Sequence, residues 1–515
     1  MHLGVDFGTT RTVVAFADRG NYPVVSFFDH LGDSLDHFPS VAAVRPDGSL
    51  DFGPAALDER PGVRLRSFKR ALAAPDVSAD AVIEEQGVRV RLMDVLVGFL
   101  SALRTALTEE STISEMLADD QLESVVVAVP AHATSAQRVM TLEAFQRAGF
   151  PVVAMMNEPS AAGFEYTHRQ ERTVTAHRTR IIVYDLGGGT FDASLVEVRE
   201  HAHEVLDSVG INRLGGDDFD EVLVDQALAA AGVTKDRLAP DELANLREQA
   251  RQAKETLSPQ TRRISVDVGE TTVRVPTDDF YSAVEPLITR SIDVASQLLV
   301  RGSEVSDSTL AGIYVAGGAS SLPLVPRMLR ARFGRRVHRA PYPTASTAIG
   351  LAIAADPDSG YTLTDRLSRG FGVFREWDSG RGVSFDSIVS RDETLPTGEN
   401  TRLVRRYRPV HNVGWFRFAE YSGLDEQGQP VGDIAPLGVV LFPFDPRLHE
   451  VADLSSVPVA HIDDAPLVEE AYTIDPNGIV HVDITDVDNG YQRSYWLGQP
   501  GERPSSSAPR RPAAG

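Results

Sequence analysis

Two short glycine-containing turns carry the residues best suited to holding a polyphosphate. Residues 6–10 (Asp-Phe-Gly-Thr-Thr) and residues 185–192 (Asp-Leu-Gly-Gly-Gly-Thr-Phe-Asp) each follow one apolar run and precede another. Glycine allows the backbone to turn tightly with its N–H groups directed at an anion, and an acid beside the turn can hold a cation. One such turn is also typical of an ordinary tight β-hairpin. Two turns of the same design favour a clamp that grips one polyphosphate from opposite sides.

Two charged side chains elsewhere can complete this chemistry. Lys69 lies in a basic segment, residues 64–70, that is expected to end a helix; a flexible lysine suits terminal phosphates, although such segments more often form a solvated surface. Glu158 follows an apolar strand at the edge where α/β sheets place ligands, so it can orient or deprotonate a water. The alternative role for Glu158 is an acid near the N-terminus of the next helix, where the helix dipole favours negative charge.

Two further Gly-Gly turns precede predicted helices. Gly215 and Gly216 lie before an acidic helix N-terminus, where backbone N–H groups can meet ribose or phosphate. Gly317 and Gly318 end a buried strand. Each turn alone is weak evidence, but four glycine loops that follow strands in one chain together indicate a single nucleotide site. The arginines between residues 327 and 339 can bind an acidic partner, yet a solvated surface is favoured for them.

Predicted strands and helices alternate over about the first 356 residues, which favours an α/β fold. Residues 124–129 are predicted to form a fully buried parallel strand. Apolar spacing predicts a helix over residues 93–116. Another helix is expected from Ser135, and two more, over residues 241–257 and 278–299, flank an alternating hairpin.

The pattern becomes β-rich after a shift in composition at residues 356–360. Short strands without long helical stretches continue from about residue 367 to residue 497, and Pro-Asn-Gly at residues 476–478 is a strong hairpin signal. This pattern predicts a β-sandwich. Residues 499–515 are rich in Pro, Ser, Ala and Arg, and their composition predicts disorder.

Composition limits the classes of function. The 515 residues exceed one compact core and predict about three or four folding units. A formal net charge of −23 disfavours nucleic acid as the main partner. The absence of cysteine excludes disulfides, thiol catalysis and Cys-ligated metals. The first residues enter a strand directly and no run of eighteen apolar residues occurs, so a cytoplasmic protein without a membrane partner is expected.

With these motifs in view, the chain resembles the seventy-kilodalton heat-shock chaperone family, the DnaK-type proteins, across nearly its whole length. The resemblance is specific because residues 157–162 (Asn-Glu-Pro-Ser-Ala-Ala) and 214–220 (Leu-Gly-Gly-Asp-Asp-Phe-Asp) accompany the two hairpins. Sugar kinases and filament-forming actins share the two hairpins with this sequence but not these two further motifs. The resemblance implies an actin-like (ribonuclease H-like) two-lobed ATPase domain over residues 1–356, with the second lobe beginning near residue 181. A linker over residues 357–368 and a β-sandwich, peptide-binding-like domain over residues 369–498 would follow.

The resemblance also implies ATP/ADP with Mg²⁺, and K⁺ as a further candidate ion. Asp6 and Asp185 would hold metal-bound waters, while Lys69 and Glu158 would position the attacking water. The residues implied in catalysis are Lys69, Glu158, Asp185, Thr190 and Asp192. Those implied in nucleotide binding are Gly8, Thr9, Thr10, Gly187, Gly188, Gly189, Thr190, Gly215, Gly216, Lys254, Ser258, Gly317 and Gly318. Pro130 and Arg138 match a family pair linked to signalling between domains.

Departures from the family pattern concentrate on the adenine side. Arg251 stands where the family usually has Glu, Glu255 stands where a basic or apolar residue is frequent, and Arg11 stands where Tyr is common. Residues 317–321 (Gly-Gly-Ala-Ser-Ser) lack an arginine that can stack on the base in the family. The phosphate side of the site therefore matches the family more closely than the adenine side.

The second half matches the family mainly through residues 385–392 and 472–482. Residues 361–365 (Tyr-Thr-Leu-Thr-Asp) replace the leucine-rich linker, and no helical lid is expected after Leu497. The leading hypothesis is a slow, ATP-hydrolysing chaperone that binds unfolded or extended polypeptide clients through a lidless β-domain, served by co-chaperones and a nucleotide-exchange factor. The alternative is a nucleotide-dependent scaffold or regulator with one specific protein partner. A small-molecule kinase on the same actin-type fold is disfavoured because such an enzyme has no use for the C-terminal β-domain.

Overall fold

The computed structural model describes residues 1–498 except positions 30, 59, 75–76, 120, 171–173, 176, 302–308, 378–381, 392–393 and 396–399. The described chain forms two compact units. The first comprises residues 1–71, 82–132 and 144–363, and the second comprises residues 72–81, 133–143 and the chain from residue 364. The predicted disordered segment, residues 499–515, lies outside the described residues.

One sheet of the first unit is built around a hairpin at the start of the chain. Its strands lie in the order Val152–Asn157, Ser124–Val129, His2–Phe7, Arg11–Phe16 and Phe38–Pro39. His2–Phe7 pairs antiparallel with Arg11–Phe16 and parallel with Ser124–Val129. Ser124–Val129 is buried at every position, as its unbroken apolar sequence predicts. The turn at residues 8–10 therefore follows strand His2–Phe7, which is hydrogen-bonded to a neighbouring strand on each side.

A second sheet of the first unit repeats this arrangement. Its strands lie in the order Val337–Arg339, Leu310–Ala316, Arg180–Leu186, Phe191–Arg199 and Ala202–Ile211. Arg180–Leu186 pairs antiparallel with Phe191–Arg199 and parallel with Leu310–Ala316. Both glycine turns therefore project from hairpins with a parallel strand alongside, so the backbone fixes the position of each turn.

Helices cover these sheets, and two sequence-based expectations need correction. The helix expected over residues 93–116 ends at Glu109, because the Ser111 hydroxyl donates to Leu107 O and Ser111 forms a β-bridge with Phe27. The basic segment expected to end a helix instead contains strand Val63–Arg66, because its apolar residues alternate with arginine. The helices are Leu92–Glu109, Ser114–Asp119, Ser135–Arg147, Glu158–Arg169, Gly216–Ala231, Pro240–Glu255, Thr277–Arg301, Leu324–Phe333 and Ser346–Ala355.

Smaller elements connect the main ones. The paired short strands are Phe27–Phe28 with Ser34–Leu35; Leu50–Phe52, Val41–Val44 and Val63–Arg66; Val82–Glu85 with Val88–Arg91; and Arg263–Val268 with Thr271–Pro276. The 3₁₀ turns are Gly53–Leu57, Phe68–Ala73, Lys235–Arg237, Gly318–Ser321, Gly334–Arg336, Pro446–Leu448 and Leu454–Ser456. Lys69 lies on one of these turns rather than on an α-helix.

Residues within the predicted linker continue the first unit. The Thr362 N–H group donates to His201 O at 3.1 Å. The Tyr361 ring stacks on the His201 ring with centroids 4.7 Å apart and planes 11° apart. Residues 361–363 therefore pack at the edge of the second sheet that is formed by strand Ala202–Ile211. Strand Thr362–Arg366 begins at this edge.

The second unit contains two antiparallel four-stranded sheets that share one core. The first has the order Gly382–Val389, Gly370–Trp377, Val413–Leu424 and Pro430–Pro443; the second has the order Thr401–Tyr407, Val468–Ile474, Val480–Asp486 and Tyr491–Trp496. Thr362–Arg366 also pairs with Thr394–Leu395. Buried Phe371 and Phe418 of the first sheet cluster with Tyr472 and Val482 of the second. Side chains from two sheets in one cluster are what a β-sandwich requires.

None of the helices in the described part of the chain is long and apolar enough to span a membrane.

Candidate nucleotide site

The two glycine turns of the first unit lie against each other. A Cβ atom added to Gly188 would lie 3.0 Å from Thr10 Oγ1, and one added to Gly189 would lie 2.8 Å from Thr9 Oγ1. A side chain at Gly189 would therefore displace its neighbour, so the close approach requires glycine there. The structure brings Thr9, Thr10 and the turn of residues 187–189 together, as a polyphosphate clamp requires.

Three aspartates concentrate negative charge beside these turns. Burial and the Glu158 carboxylate raise the pKa of Asp6 to about 7, and the Lys69 ammonium partly opposes this rise. Burial and Glu158 raise the pKa of Asp192 to about 8. The pKa of Asp185 is raised well above its ordinary value by burial and by the Glu158, Asp6 and Asp192 carboxylates. A cation close to such buried acids would favour their ionised forms.

Lys69 and Glu158 meet in this acidic region. Lys69 Nζ lies 3.2 Å from Glu158 Oε1, and the two side chains are 5% and 13% exposed. The Lys69 ammonium also lies 5.3 Å from the centroid of the Phe7 ring. Glu158 is the first residue of helix Glu158–Arg169, which is the position expected for an acid that interacts with the helix dipole. Its carboxylate also accepts a hydrogen bond from Lys69.

Two groups that hold the aspartates were missed by sequence reasoning. The Thr347 hydroxyl donates to Asp185 Oδ2 at 3.4 Å, and the His132 backbone N–H donates to Asp192 Oδ1 at 3.3 Å. Thr347 lies at the start of the apolar helix Ser346–Ala355, where the sequence carries no glycine or acid to mark it. His132 acts through its backbone, so its side-chain type gives no signal.

The loop at Gly215 and Gly216 closes on the second hairpin. The Gly216 N–H donates to Gly187 O at 3.0 Å, and the Asp217 N–H donates to Gly188 O at 2.8 Å. Lys254 Nζ fixes this loop by donating to Gly216 O at 2.7 Å and pairing with Asp220 at 2.7 Å. The loop and the hairpin therefore form one connected backbone surface.

The remaining predicted nucleotide residues occupy three turns. Gly317 adopts φ +83°, and a Cβ atom there would lie 2.3 Å from Asp185 Oδ1, so this turn also touches the acidic region. Gly318 lies beside Thr344. Ser258 N–H donates to Thr261 Oγ1 at 3.1 Å in the turn after helix Pro240–Glu255. Gly8 permits the first turn, because a Cβ there would lie 2.3 Å from Arg11 O.

Two residues that depart from the family pattern compensate each other. Arg11 Nη2 lies 2.5 Å from Glu255 Oε2, which joins the first sheet to the end of helix Pro240–Glu255. Arg66 pairs with Glu248 of the same helix at 3.0 Å. These ion pairs border a cleft of about 750 Å³ whose lining includes Thr10, Arg11, Arg70, Asp217 and Arg251.

The donor set fits a hydrated cation. Among the residues that the structure describes, no three His, Cys, Asp or Glu side chains form a group that could hold a metal ion directly. Burial and the nearby Glu158 carboxylate raise the pKa values of Asp6, Asp185 and Asp192, so these acids lie close enough to Glu158 to interact with it. Acids near one another but outside direct coordination suit the hydrogen-bonding of metal-bound waters.

In the second unit, Arg138 contacts the predicted Pro-Asn-Gly hairpin. Arg138 Nη1 donates to Asn477 O at 3.3 Å, and Asn477 lies in the turn between strands Val468–Ile474 and Val480–Asp486. Glu420 of strand Val413–Leu424 accepts the Ser135 N–H at 3.1 Å at the start of helix Ser135–Arg147. Residues 133–143 are thus anchored within this unit.

Comparison with known proteins identifies the family. A model of the family described as Hsp70 protein matches residues 97–404. The chain belongs to the Hsp70 family. It is 31% identical over 419 residues to chaperone protein HscA homologs of Burkholderia pseudomallei and Burkholderia mallei, covering 76% of this chain and 64% of each relative. An HscA homolog of Burkholderia ambifaria is 31% identical over 417 residues with the same coverage.

The matched region of this Hsp70-family chain includes most of the acidic site. Glu158, Asp185, Asp192 and the loop at Gly215 fall within residues 97–404. The chain spans 64% of the length of the relatives named above. These relatives are named as chaperones.

Proposed function

We propose that this Hsp70-family chain binds ATP with Mg²⁺ and hydrolyses it to ADP and phosphate at a low rate. The observation that carries the proposal is the contact between the two glycine turns beside the buried Lys69–Glu158 pair. The proposed ATPase domain is actin-like and spans residues 1–356, with one lobe on each of the two similar sheets. Phosphoryl transfer depends on positioning and charge neutralisation more than on covalent help, and this site supplies both.

The residues divide the work by chemical type. Backbone N–H groups of Gly188 and Gly189 and the hydroxyls of Thr9, Thr10 and Thr190 bind phosphate oxygens, while the Gly187 N–H closes the turn by donating to Thr190 O at 3.0 Å. The Lys69 ammonium neutralises charge on the terminal phosphate and holds the Glu158 carboxylate in place at 3.2 Å. Glu158 orients a water and accepts its proton. The His132 N–H holds the Asp192 carboxyl group by a hydrogen bond, and this carboxyl group keeps the region around the attacking water polar.

The acidic region is where a divalent cation is expected. Mg²⁺ would supply charge neutralisation to the phosphates when bound. Asp6 and Asp185 would accept hydrogen bonds from its waters, and Thr347 would hold Asp185 in position by its 3.4 Å hydrogen bond. K⁺ is a further candidate ion for the same acidic surface. Gly215, Gly216, Lys254, Ser258, Gly317 and Gly318 are proposed to line the adenosine side.

The second half is proposed to bind unfolded or extended polypeptide. The support is the pair of four-stranded sheets with one shared core, over the proposed peptide-binding domain of residues 369–498, together with relatives named as chaperones. Exposed apolar side chains occur on these strands, among them Ile434 and Val439. Co-chaperones and a nucleotide-exchange factor belong to this proposal as partners.

Single-turnover hydrolysis of ATP tests the catalytic roles. Lys69→Ala and Glu158→Ala are each expected to slow hydrolysis at least about 100-fold, because positioned acid–base groups typically contribute that much or more. Glu109→Ala, a substitution at an exposed helix end, is the matched control and should hydrolyse ATP at the unaltered rate.

Two outcomes would change the proposal. Unaltered single-turnover rates in both Lys69→Ala and Glu158→Ala would remove their catalytic roles. Binding of the second unit to one protein sequence only, in an array of varied extended peptides, would favour the scaffold function over the chaperone function.

A further inference from the structure

An arginine-rich segment of the first unit differs in charge from the rest of this acidic chain. Six arginines occur between residues 327 and 339, and no Asp or Glu occurs between residues 308 and 355, although 73 of the 515 residues are acidic. The segment forms three consecutive elements, which are helix Leu324–Phe333, the 3₁₀ turn Gly334–Arg336 and strand Val337–Arg339. Positive charge is therefore concentrated where the local sequence supplies no neutralising group.

Five of these arginines are exposed and have no acidic partner. None of the five forms an ion pair with any residue that the structure describes, and we call them the arginine patch: Arg327, Arg330, Arg332, Arg335 and Arg339. Other exposed arginines do pair with acids, as Arg60 does with Asp58 at 2.5 Å and Arg406 does with Glu469 at 2.6 Å. The charges of the patch are thus available to an acidic group of another molecule.

The last element of the segment adds a sheet edge to this charge. Strand Val337–Arg339 lies at the edge of the second sheet and pairs in parallel with the next strand. The Ala340 N–H donates to Val315 O at 3.0 Å, so the alternation of a strand directs the backbone groups of Val337 and Arg339 away from the sheet. A sheet edge accepts an extended polypeptide by main-chain hydrogen bonds.

An aromatic side chain follows the edge strand. Tyr342 is 58% exposed, and the Arg169 guanidinium lies 5.4 Å from the centroid of its ring. Tyrosine and arginine are enriched in protein–protein interfaces, where they often contribute most of the binding energy. The composition of this surface therefore matches that of an interface with another protein.

The charge of the whole chain argues against larger polyanions as the partner. A net charge of −23 repels a membrane surface or a nucleic acid duplex, because either would face much of the protein at once. A short acidic segment would face only the patch, since exposed charges more than about 10 Å away are largely screened by salt. Lipid and nucleic acid also have no strand to add to the sheet edge.

We infer that the arginine patch is a docking surface for an acidic, extended segment of another polypeptide. This segment adds as a strand beside Val337–Arg339 and pairs its carboxylates with the arginines. The surface includes none of the residues proposed to bind nucleotide and lies in the first unit, so the inference does not depend on the proposed ATPase or on client binding by the second half.

A synthetic acidic peptide tests the docking surface. The probe is a fluorescent peptide of about twelve residues that alternates Glu with Thr, so that its carboxylates share one face when it is extended. Fluorescence anisotropy measures its binding to the full-length chain at low salt. The triple variant Arg330→Ala, Arg332→Ala and Arg335→Ala should bind it at least about fivefold more weakly than the unaltered chain, because three ion pairs are lost.

The matched control removes three exposed arginines elsewhere in the same unit. Arg237→Ala, Arg263→Ala and Arg274→Ala together change the net charge equally and should weaken binding less than about twofold. A peptide with Gln in place of Glu should bind the unaltered chain at least about fivefold more weakly than the acidic peptide. Equal weakening in the two triple variants, or equal binding of the two peptides, would overturn the inference.

Hydrogen exchange on the unaltered chain tests strand addition without any variant, and it decides the question should a triple variant fail to fold. Saturating acidic peptide should slow exchange of the Arg339 amide at least about tenfold. The Ala340 amide already donates to Val315 O and should change little. Exchange of the Arg339 amide at an unaltered rate in the presence of the peptide would overturn the inference.

Two other polyanions test the class of partner. A DNA duplex and vesicles containing phosphatidylglycerol should each bind the unaltered chain more weakly than the acidic peptide does. Tighter binding of either one, weakened by the three substitutions in the patch, would overturn the assignment of the surface to a polypeptide.

Discussion

Among single residues, the buried aspartates show how the site is made at a cost to stability. Asp6, Asp185 and Asp192 all have raised pKa values, because burial and repulsion by the Glu158 carboxylate oppose their ionisation. A group with this shift contributes most to folding when protonated, so the stability of the ligand-free chain should fall as pH rises from about 4 toward 7. A bound cation would offset this loss of stability, because it favours the ionised forms of the three aspartates.

Asp6→Asn should therefore stabilise the nucleotide-free protein at neutral and higher pH. Its pKa of about 7 means that the folded state carries the full ionisation penalty only above that pH. We expect the variant to gain at least about 1 kcal/mol at pH 8, since one pKa unit corresponds to about 1.4 kcal/mol, and less at pH 4.5. Thermal unfolding at the two pH values measures this gain.

The control for this prediction is Asp236→Asn, at an exposed position. It should change the unfolding midpoint little at either pH. A destabilised Asp6→Asn protein at pH 8 would contradict the electrostatic description, and weakened Mg²⁺–ATP binding in the same variant is expected from the loss of its charge.

The residues best predicted from sequence were those whose type alone carries a signal. The family resemblance implied a joint role for Lys69 and Glu158, and their side chains lie 3.2 Å apart. Thr347 and the His132 N–H were missed, because a threonine in a helix start and a backbone amide look ordinary in sequence. Their contribution depends on tertiary position.

Secondary-structure elements explain why the two turns meet. Each turn projects from a hairpin flanked by a parallel strand, so neither can shift without breaking ladder hydrogen bonds. Apolar runs and glycine turns predicted these strands well. The helix end expected at the basic segment was wrong, because the period-two alternation of residues 63–66 forms a strand in which Leu65 lies opposite Ala42.

The Arg11–Glu255 pair joins elements on the two sides of the cleft and should slow nucleotide release. The pair is partly exposed, at 29% and 37%, so its contribution is expected to be about 0.2–1 kcal/mol. Arg11→Ala and Glu255→Ala should each speed release of a fluorescent ADP analogue by up to about fivefold in stopped-flow measurements at low salt.

A double-mutant cycle distinguishes the pair from separate effects. The double variant should release ADP no faster than either single variant, because each substitution breaks the same contact. Arg237→Ala, at an exposed position, is the control. Fully additive acceleration in the double variant would show that the two residues act independently.

For the whole molecule, the second unit depends on a buried charge network as well as on its apolar core. Glu470 is fully buried and accepts two hydrogen bonds from Arg375 at 2.7 Å each, and the hydroxyls of Tyr407 and Tyr472 also donate to it. The strands could be predicted from alternation, but this network could not, since its members lie on three strands far apart in sequence.

Glu470→Ala should destabilise the second unit by about 2–3 kcal/mol, because it removes the buried carboxylate to which Arg375, Tyr407 and Tyr472 donate, while Arg375 keeps its 3.0 Å ion pair with Asp386. Glu469→Ala is the matched control: its carboxylate meets the exposed Arg406 at 2.6 Å, so its loss should cost about 1 kcal/mol or less. Urea unfolding followed by tryptophan fluorescence measures both. Equal losses would show that the buried network is not the stabilising feature.

The ATPase rate with and without an unfolded client tests the central claim most directly, because it requires catalysis, peptide binding and coupling in one protein. We predict that a saturating unfolded client raises the steady-state ATPase rate of the unaltered chain at least about twofold, and that Lys69→Ala lowers both the basal and the stimulated rate at least about 100-fold. An ATPase rate that the client leaves unaltered, or an unaltered rate in Lys69→Ala, would contradict the account.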